Sequence, residues 1–172
     1  MPSDKYLEQL INAYGDSILR MCFLYLKDYQ LAEDATQETF IKALKNYGNF
    51  RYESSEKTWI VRIAINCCKN IMRTHWFQVQ KNTVGEILEE RSENPTENWV
   101  EKRTISDAIM KLSISDRTVI ILYYYQELSL KEIAKIIKGN ENMVNQRLYR
   151  ARGRLKKILM EEGYDCKYER AD

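Results

Sequence analysis

The chain has 172 residues and a formal net charge of +2, with charged residues making up 30% and apolar ones 44%. That length allows one or two small domains, each with a modest core. No apolar run approaches the roughly 20 residues a bilayer crossing needs, and the start MPSDKYLEQL lacks a basic segment followed by an apolar one, so a cytoplasmic protein without a secretory signal is expected.

Two prolines and six glycines against twelve tyrosines predict an all-α fold. Charge is unevenly spread. From Glu141 to Lys157, Arg147, Arg150, Arg152, Arg154, Lys156 and Lys157 stand against Glu141, a balance of +5. Between His75 and Arg103 four cations face six glutamates, a balance of −2.

In chain order, Leu7, Leu10, Ile11 and Tyr14 follow the spacing of an amphipathic helix. Ile18, Met21, Cys22 and Tyr25 repeat it, and Leu19, Leu24 and Leu26 make this second helix apolar nearly all round. A third helix is predicted from about Leu31 to Tyr47 and a fourth from about Glu56 to Arg73, joined by the loop GNFRYESS. Beyond Trp76 the periodicity fades into a polar, acidic stretch with Pro95, read as a flexible linker over 77–95. These signals give an N-terminal helical bundle, residues 1–76, and a second helical domain over 96–163, followed by a tail, 164–172.

In the second domain, SISD at 113–116 offers a helix start and SLKE at 129–132 a capping box. The short helix opened by Ser129 buries Leu130, Ile133, Ala134 and Ile137, and Gly139 is free to take a positive φ in the turn after it. The last helix buries Val144, Leu148, Ala151, Leu155 and Leu159. A short helix, a turn with glycine and a longer basic helix form the helix-turn-helix pattern.

Cys67 and Cys68 fall on or near the apolar stripe of the fourth helix, where thiols act as small hydrophobes. With Cys22, Cys166 and His75 scattered elsewhere, no zinc-type spacing forms, and neither a metal nor a cofactor is expected. Trp59, Arg62, Asn66, Lys69 and Arg73 line the other face. That line is either a solvated face with Trp59 packed on a neighbour, or a strip that holds a DNA backbone while an amide reads an unstacked base. Asp34, Gln37, Glu38, Ile41 and Lys45 form a second line on the third helix; nothing near its carboxylates supplies a nucleophile, metal set or phosphate loop, so no enzyme is expected. On the last helix Asn142, Asn145, Gln146, Tyr149 and Arg152 stand opposite the core, flanked by Arg147, Arg150 and Arg154, a set suited to base edges and phosphates.

The segments LAEDATQETFIKAL, FRYESSEKTWIVRIAINCCKNIMR and LSLKEIAKIIKGNENMVNQRLYRARGRLKKIL together resemble, in order, bacterial sigma factors of the extracytoplasmic-function group. The resemblance implies a promoter-specificity subunit of RNA polymerase that serves a stress or envelope response. It also implies that the first domain, region 2, binds the β′ clamp helices of core polymerase through Asp34, Gln37, Glu38, Phe40 and Ile41. Around a flipped base of the −10 element it would bring Phe50, Arg51, Ser54, Ser55, Trp59, Arg62, Asn66, Lys69 and Arg73. In the second domain, region 4, which also meets the β flap, Asn142, Asn145, Gln146, Arg147, Tyr149 and Arg150 would contact the −35 element. Met143 and Asn145 depart from the usual start of that helix, which favours adenine at the base Asn145 meets. The linker is either a mimic of nucleic acid or a solvated tether. A membrane-anchored anti-sigma factor, a monomeric free state and no small-molecule substrate complete the expectation. The alternative is a stand-alone dimeric helix-turn-helix regulator bound to a palindrome; a DNA-free adaptor would leave the +5 helix unexplained.

Overall fold

The computed structural model describes residues 4–51, 53–81 and 100–164, and every regular element among them is helical. Backbone proximity divides the chain into two compact units, Met1–Glu93 and Asn94–Asp172. The linker beyond residue 81, the expected domain start near Thr96 and the tail beyond 164 lie outside the described residues. No helix among the described residues is long and apolar enough to cross a membrane.

The N-terminal unit contains α1 (Asp4–Leu26), α2 (Tyr29–Asn46), a short 3-10 turn (Tyr47–Asn49) and α3 (Glu56–Lys81). The two N-terminal helices expected from the sequence are one: Leu7, Leu10, Ile11, Tyr14, Ile18, Met21, Cys22 and Tyr25 keep a single phase, and the helix runs through Gly15. A mid-helix glycine costs roughly 1 kcal/mol, which this uninterrupted stripe offsets. Helix α1 ends where Lys27 turns left-handed at φ 58°, and α2 starts at once because the Asp28 carboxylate accepts the Leu31 amide at 2.8 Å.

Each of these helices packs on the other two. Leu10, Ile18, Met21, Cys22 and Tyr25 of α1 meet Ala32, Ala35, Phe40 and Ala43 of α2, and Ile60, Val61, Ala64, Ile65, Cys67 and Cys68 of α3, all buried. Alanines on α2 let its backbone approach, while each large side chain buried contributes about 1.5–3 kcal/mol. Helix α3 continues to Lys81, past the expected end at Arg73; WFQVQK carries no glycine, proline or cap that would stop it.

The C-terminal unit contains α4 (Val100–Lys111), α5 (Ile114–Ile120) with a π-helical turn (Ile121–Tyr125), α6 (Leu130–Ile137) and α7 (Glu141–Glu161). Polar caps delimit them. Ser113 accepts the Asp116 amide, Ser129 and Glu132 form the predicted capping box, and Asn140 accepts the Met143 amide at 2.8 Å. Buried Arg117 donates to the Met110 and Leu112 carbonyls at 2.5 and 3.2 Å, closing the end of α4. Buried Asp116 of α5 is paired with Arg154 of α7.

The turn between α6 and α7 differs from expectation. Lys138, not Gly139, takes the left-handed conformation, at φ 57°. The Met143 side chain lies over Gly139, its Cε 1.8 Å from where a Cβ would stand, so a larger residue there would displace that flexible end. The buried face of α6 is Ile133, Ala134 and Ile136, with Leu130 and Ile137 half-buried. On α7, Val144, Leu148, Ala151 and Leu159 are buried and Leu155 is half-buried.

Candidate functional site

Helix α2 presents Asp34, Gln37 and Ile41 to solvent, with Ile41 52% exposed. Glu38 lies half-buried on the same line and binds Lys42 at 2.6 Å, which raises the lysine's affinity for its proton. Spacing of i, i+3, i+4 and i+7 puts these four side chains on one stripe. Phe40 does not join them; it is buried in the bundle.

The loop after α2 leads into α3, whose start is anchored twice. Ser55 Oγ accepts the Thr58 amide at 3.1 Å and so caps the helix. Glu56, in the first turn, accepts from the Tyr6 hydroxyl at 2.7 Å and the Tyr14 hydroxyl at 3.2 Å, both from α1. Burial and then the Glu56 carboxylate push both phenols above their ordinary pKa, so they remain donors. The Tyr6 ring also lies 3.9 Å from that of Tyr47, at the start of the loop. Sequence reasoning missed this brace, because neither tyrosine was paired with Glu56 in it; the signal was the polar hydroxyl on the apolar stripe at Tyr14.

Arg62, Asn66, Lys69 and Arg73 are all exposed along α3. Trp59 is not on that line: it is buried, and Phe50 of the loop covers it with ring centroids 4.8 Å apart. An indole is too large an apolar surface to leave in water when an aromatic neighbour can cover it. Phe50 and Ser54 are half-buried, while Arg51 and Ser55 are exposed. Arg73 Nη2 donates to Asn70 Oδ1 at 3.2 Å, which tethers the far end of the strip. Cys67 and Cys68 face inward beside Cys22, with no exposure at all. Burial raises the Cys67 pKa, and the Cys22 contact followed by burial raises that of Cys68, so these thiols are inert core groups.

Helix α7 presents Asn142, Asn145, Gln146, Tyr149 and Arg150 outward, with Tyr149 77% exposed; Arg147 is half-buried. Asn145, Gln146, Tyr149, Arg150 and Arg152 line one shallow hollow. Arg152, which sequence reasoning put on this face but not among the DNA contacts, donates from Nε to the Tyr124 hydroxyl at 2.6 Å. Its guanidinium lies 5.3 Å from the centre of the Tyr123 ring and 5.5 Å from that of Tyr124.

Two family profiles match the chain: Sigma-70 region 2 over residues 10–78 and Sigma-70, region 4 over residues 102–155. The chain is 33% identical to RNA polymerase sigma factor YlaC of Bacillus subtilis (strain 168), over 89% of this chain and 91% of that one. It is 31% identical to the ECF RNA polymerase sigma factor SigW of the same organism, over 87% of each. Among solved structures, the sigma factor RpoE in complex with the anti-sigma factor NepR from Bartonella quintana matches with a TM-score of 0.78 and 25% identity, covering 89% of this chain and 96% of that one. CnrH, solved in complex with the cytosolic domain of CnrY, shares the fold at a TM-score of 0.72 and 20% identity, covering 93% and 91%.

Proposed function

The chain belongs to the extracytoplasmic-function group of the sigma-70 family, and from that premise we propose that it is a promoter-specificity subunit whose α3 and α7 read the two promoter elements. The observation that carries this reading is that both sets of readers stand exposed in one chain: Arg62, Asn66, Lys69 and Arg73 on α3, and Asn142, Asn145, Gln146, Tyr149 and Arg150 on α7. Membership of the family removes the dimeric regulator as an alternative.

Asp34, Gln37, Glu38 and Ile41 dock α2 on the β′ clamp helices of core polymerase. Phe40 supports this contact from beneath, since it is buried. At the −10 element a base leaves the stack, which costs a few kcal/mol, and capture by the protein recovers it. Asn66 supplies the hydrogen bonds to the captured base, and Arg62, Lys69 and Arg73 neutralise phosphates along about 16 Å of helix. Phe50 over Trp59 forms the wall of that pocket, and Ser55, whose hydroxyl caps α3, holds the loop rather than the base. Reading and opening are then one event, and the subunit needs no cofactor and performs no reaction of its own.

At the −35 element Asn145, Gln146 and Tyr149 face base edges, with Asn142, Arg147 and Arg150 at the flanking phosphates, while the same domain meets the β flap. An anti-sigma factor covers the polymerase-binding faces until a stress or envelope signal arrives. That the sigma factor RpoE was solved bound to one supports this regulation. We place the subunit in the cytoplasm as a monomer, its inhibitor anchored in the membrane.

The test is Asn66→Ala in reconstituted holoenzyme on a promoter this subunit serves. Open-complex formation, read by permanganate footprinting of the −10 region, falls at least tenfold while affinity for core polymerase is retained. Equal loss of both would mean that Asn66 does not read the base.

A further inference from the structure

Tyr123 and Tyr124 have no part in the assignments above, and Arg152 is there only one of the polar residues opposite the core of α7, with no DNA contact assigned to it. Five residues, Ile121–Tyr125, form a π-helical turn closed by the Gln126 amide on the Ile121 carbonyl at 3.1 Å. Such turns widen the helix and swing side chains out of phase with the rest, often where a ligand binds. Here the turn leaves Tyr124 51% exposed and brings its hydroxyl to Arg152 Nε.

The arginine is thereby fixed at one edge only. Nε is bound and the guanidinium plane rests near two tyrosine rings, while among the described residues the Nη groups have no partner. Tyr124 accepts that bond and so keeps its own O–H proton to donate. The result is a preorganised anion seat of charged Nη donors beside a phenol donor. A guanidinium held in this way loses little side-chain entropy on binding.

Resting on the reading of α7 as the −35 reader, we propose that Arg152 and Tyr124 form a phosphodiester seat that clamps the DNA backbone at the edge of that site. Arg152 lines the same hollow as Asn145, Gln146, Tyr149 and Arg150. It lies seven residues beyond Asn145, about 10 Å along the axis. Recognition helices meet base edges with their N-terminal residues, and the major groove is about 12 Å wide. Asn145 over the bases therefore carries Arg152 to the groove wall, where the phosphates are. Because the contact is to backbone, it adds affinity and fixes register without adding sequence preference.

The experiment uses the full chain assembled with core polymerase and a duplex selected by the wild-type holoenzyme from a pool randomised across the −35 region. Affinity is measured against salt. Arg152→Ala weakens binding about tenfold at low salt, lowers the slope of log K against log salt by about 0.9, and selects the same sequence from the pool. Tyr124→Phe, which keeps the charge, weakens binding a few-fold with the slope unchanged. Arg152→Lys keeps the slope and loses affinity, which separates the seat from a folding defect. An unchanged slope in Arg152→Ala, or an altered selected sequence, overturns the seat. A wild-type holoenzyme that selects no sequence at all refutes α7 as the reader, a distinct outcome that removes the seat with it.

Discussion

The two units hold their helices by different means. In the N-terminal unit α1, α2 and α3 are 23, 18 and 26 residues long and meet along continuous buried stripes. In the C-terminal unit α5 and α6 are only seven and eight residues long. Such short pieces have little helical stability of their own, and polar groups set their limits: Ser113, Ser129 with Glu132, Asn140, and the pair of Asp116 with Arg154. Both units have buried apolar cores, but in the second the short helices add polar groups that set their limits. The functional surfaces follow suit. The proposed readers on α3 stand on a long helix whose buried stripe and anchored start fix it, and those proposed on α7 stand on a helix with a buried face of its own that is also tied to α5 by one ion pair.

Five substitutions rank these contributions. Ile60→Ala, at a site with no exposure, costs about 3–4 kcal/mol through lost burial and a cavity, read as a loss of urea stability in the N-terminal unit. Arg154→Ala costs about 3 kcal/mol in the other unit, because it leaves Asp116 buried at 3% exposure without its cation. Asp116→Ala costs less, about 1–2 kcal/mol, since Arg154 is 59% exposed and returns to water; thermal melts of the two variants reveal the asymmetry. Equal losses would show that the pair does not act through desolvation of the aspartate. Ser129→Ala removes the cap of α6 for about 1 kcal/mol, and hydrogen exchange localises the loss to α6. The smallest change has the opposite sign. Gly15→Ala stabilises the protein by about 0.5–1 kcal/mol, because the added Cβ meets only Ile11 Cγ2, at 3.5 Å. Destabilisation instead would mean that the glycine interrupts α1.

The same contrast decides what could be read in advance. Ser113 and Ser129 are residue types with a stated role at helix starts, and both cap the helices expected of them. In the N-terminal unit Asp28 and Ser55 cap α2 and α3 in the same way, but the middle of α1 and the far end of α3 carry no such mark: the sequence reading divided α1 between Tyr14 and Ile18 and stopped α3 at Arg73, where the backbone continues to Lys81. Periodicity placed the cysteines in the core and Asn66 at the surface, as observed. It could not decide between the two readings of Trp59, packed on a neighbour or part of the strip; the ring is buried, with Phe50 of the loop folded over it. Nor could it show that the φ of 57° falls on Lys138 rather than Gly139, or that a π-helical turn brings Tyr124 to Arg152. Those depend on contacts distant in sequence, which local pattern does not carry.

The central claim is that α2 docks this chain on polymerase, and equilibrium binding of the purified protein to bacterial core RNA polymerase, without DNA, tests it most directly. The account predicts submicromolar binding by the wild-type chain and its loss in the double variant Gln37→Ala with Glu38→Ala, whose circular dichroism and melting remain those of the wild type. A folded wild-type chain that does not bind, or a double variant that binds as tightly, would contradict it.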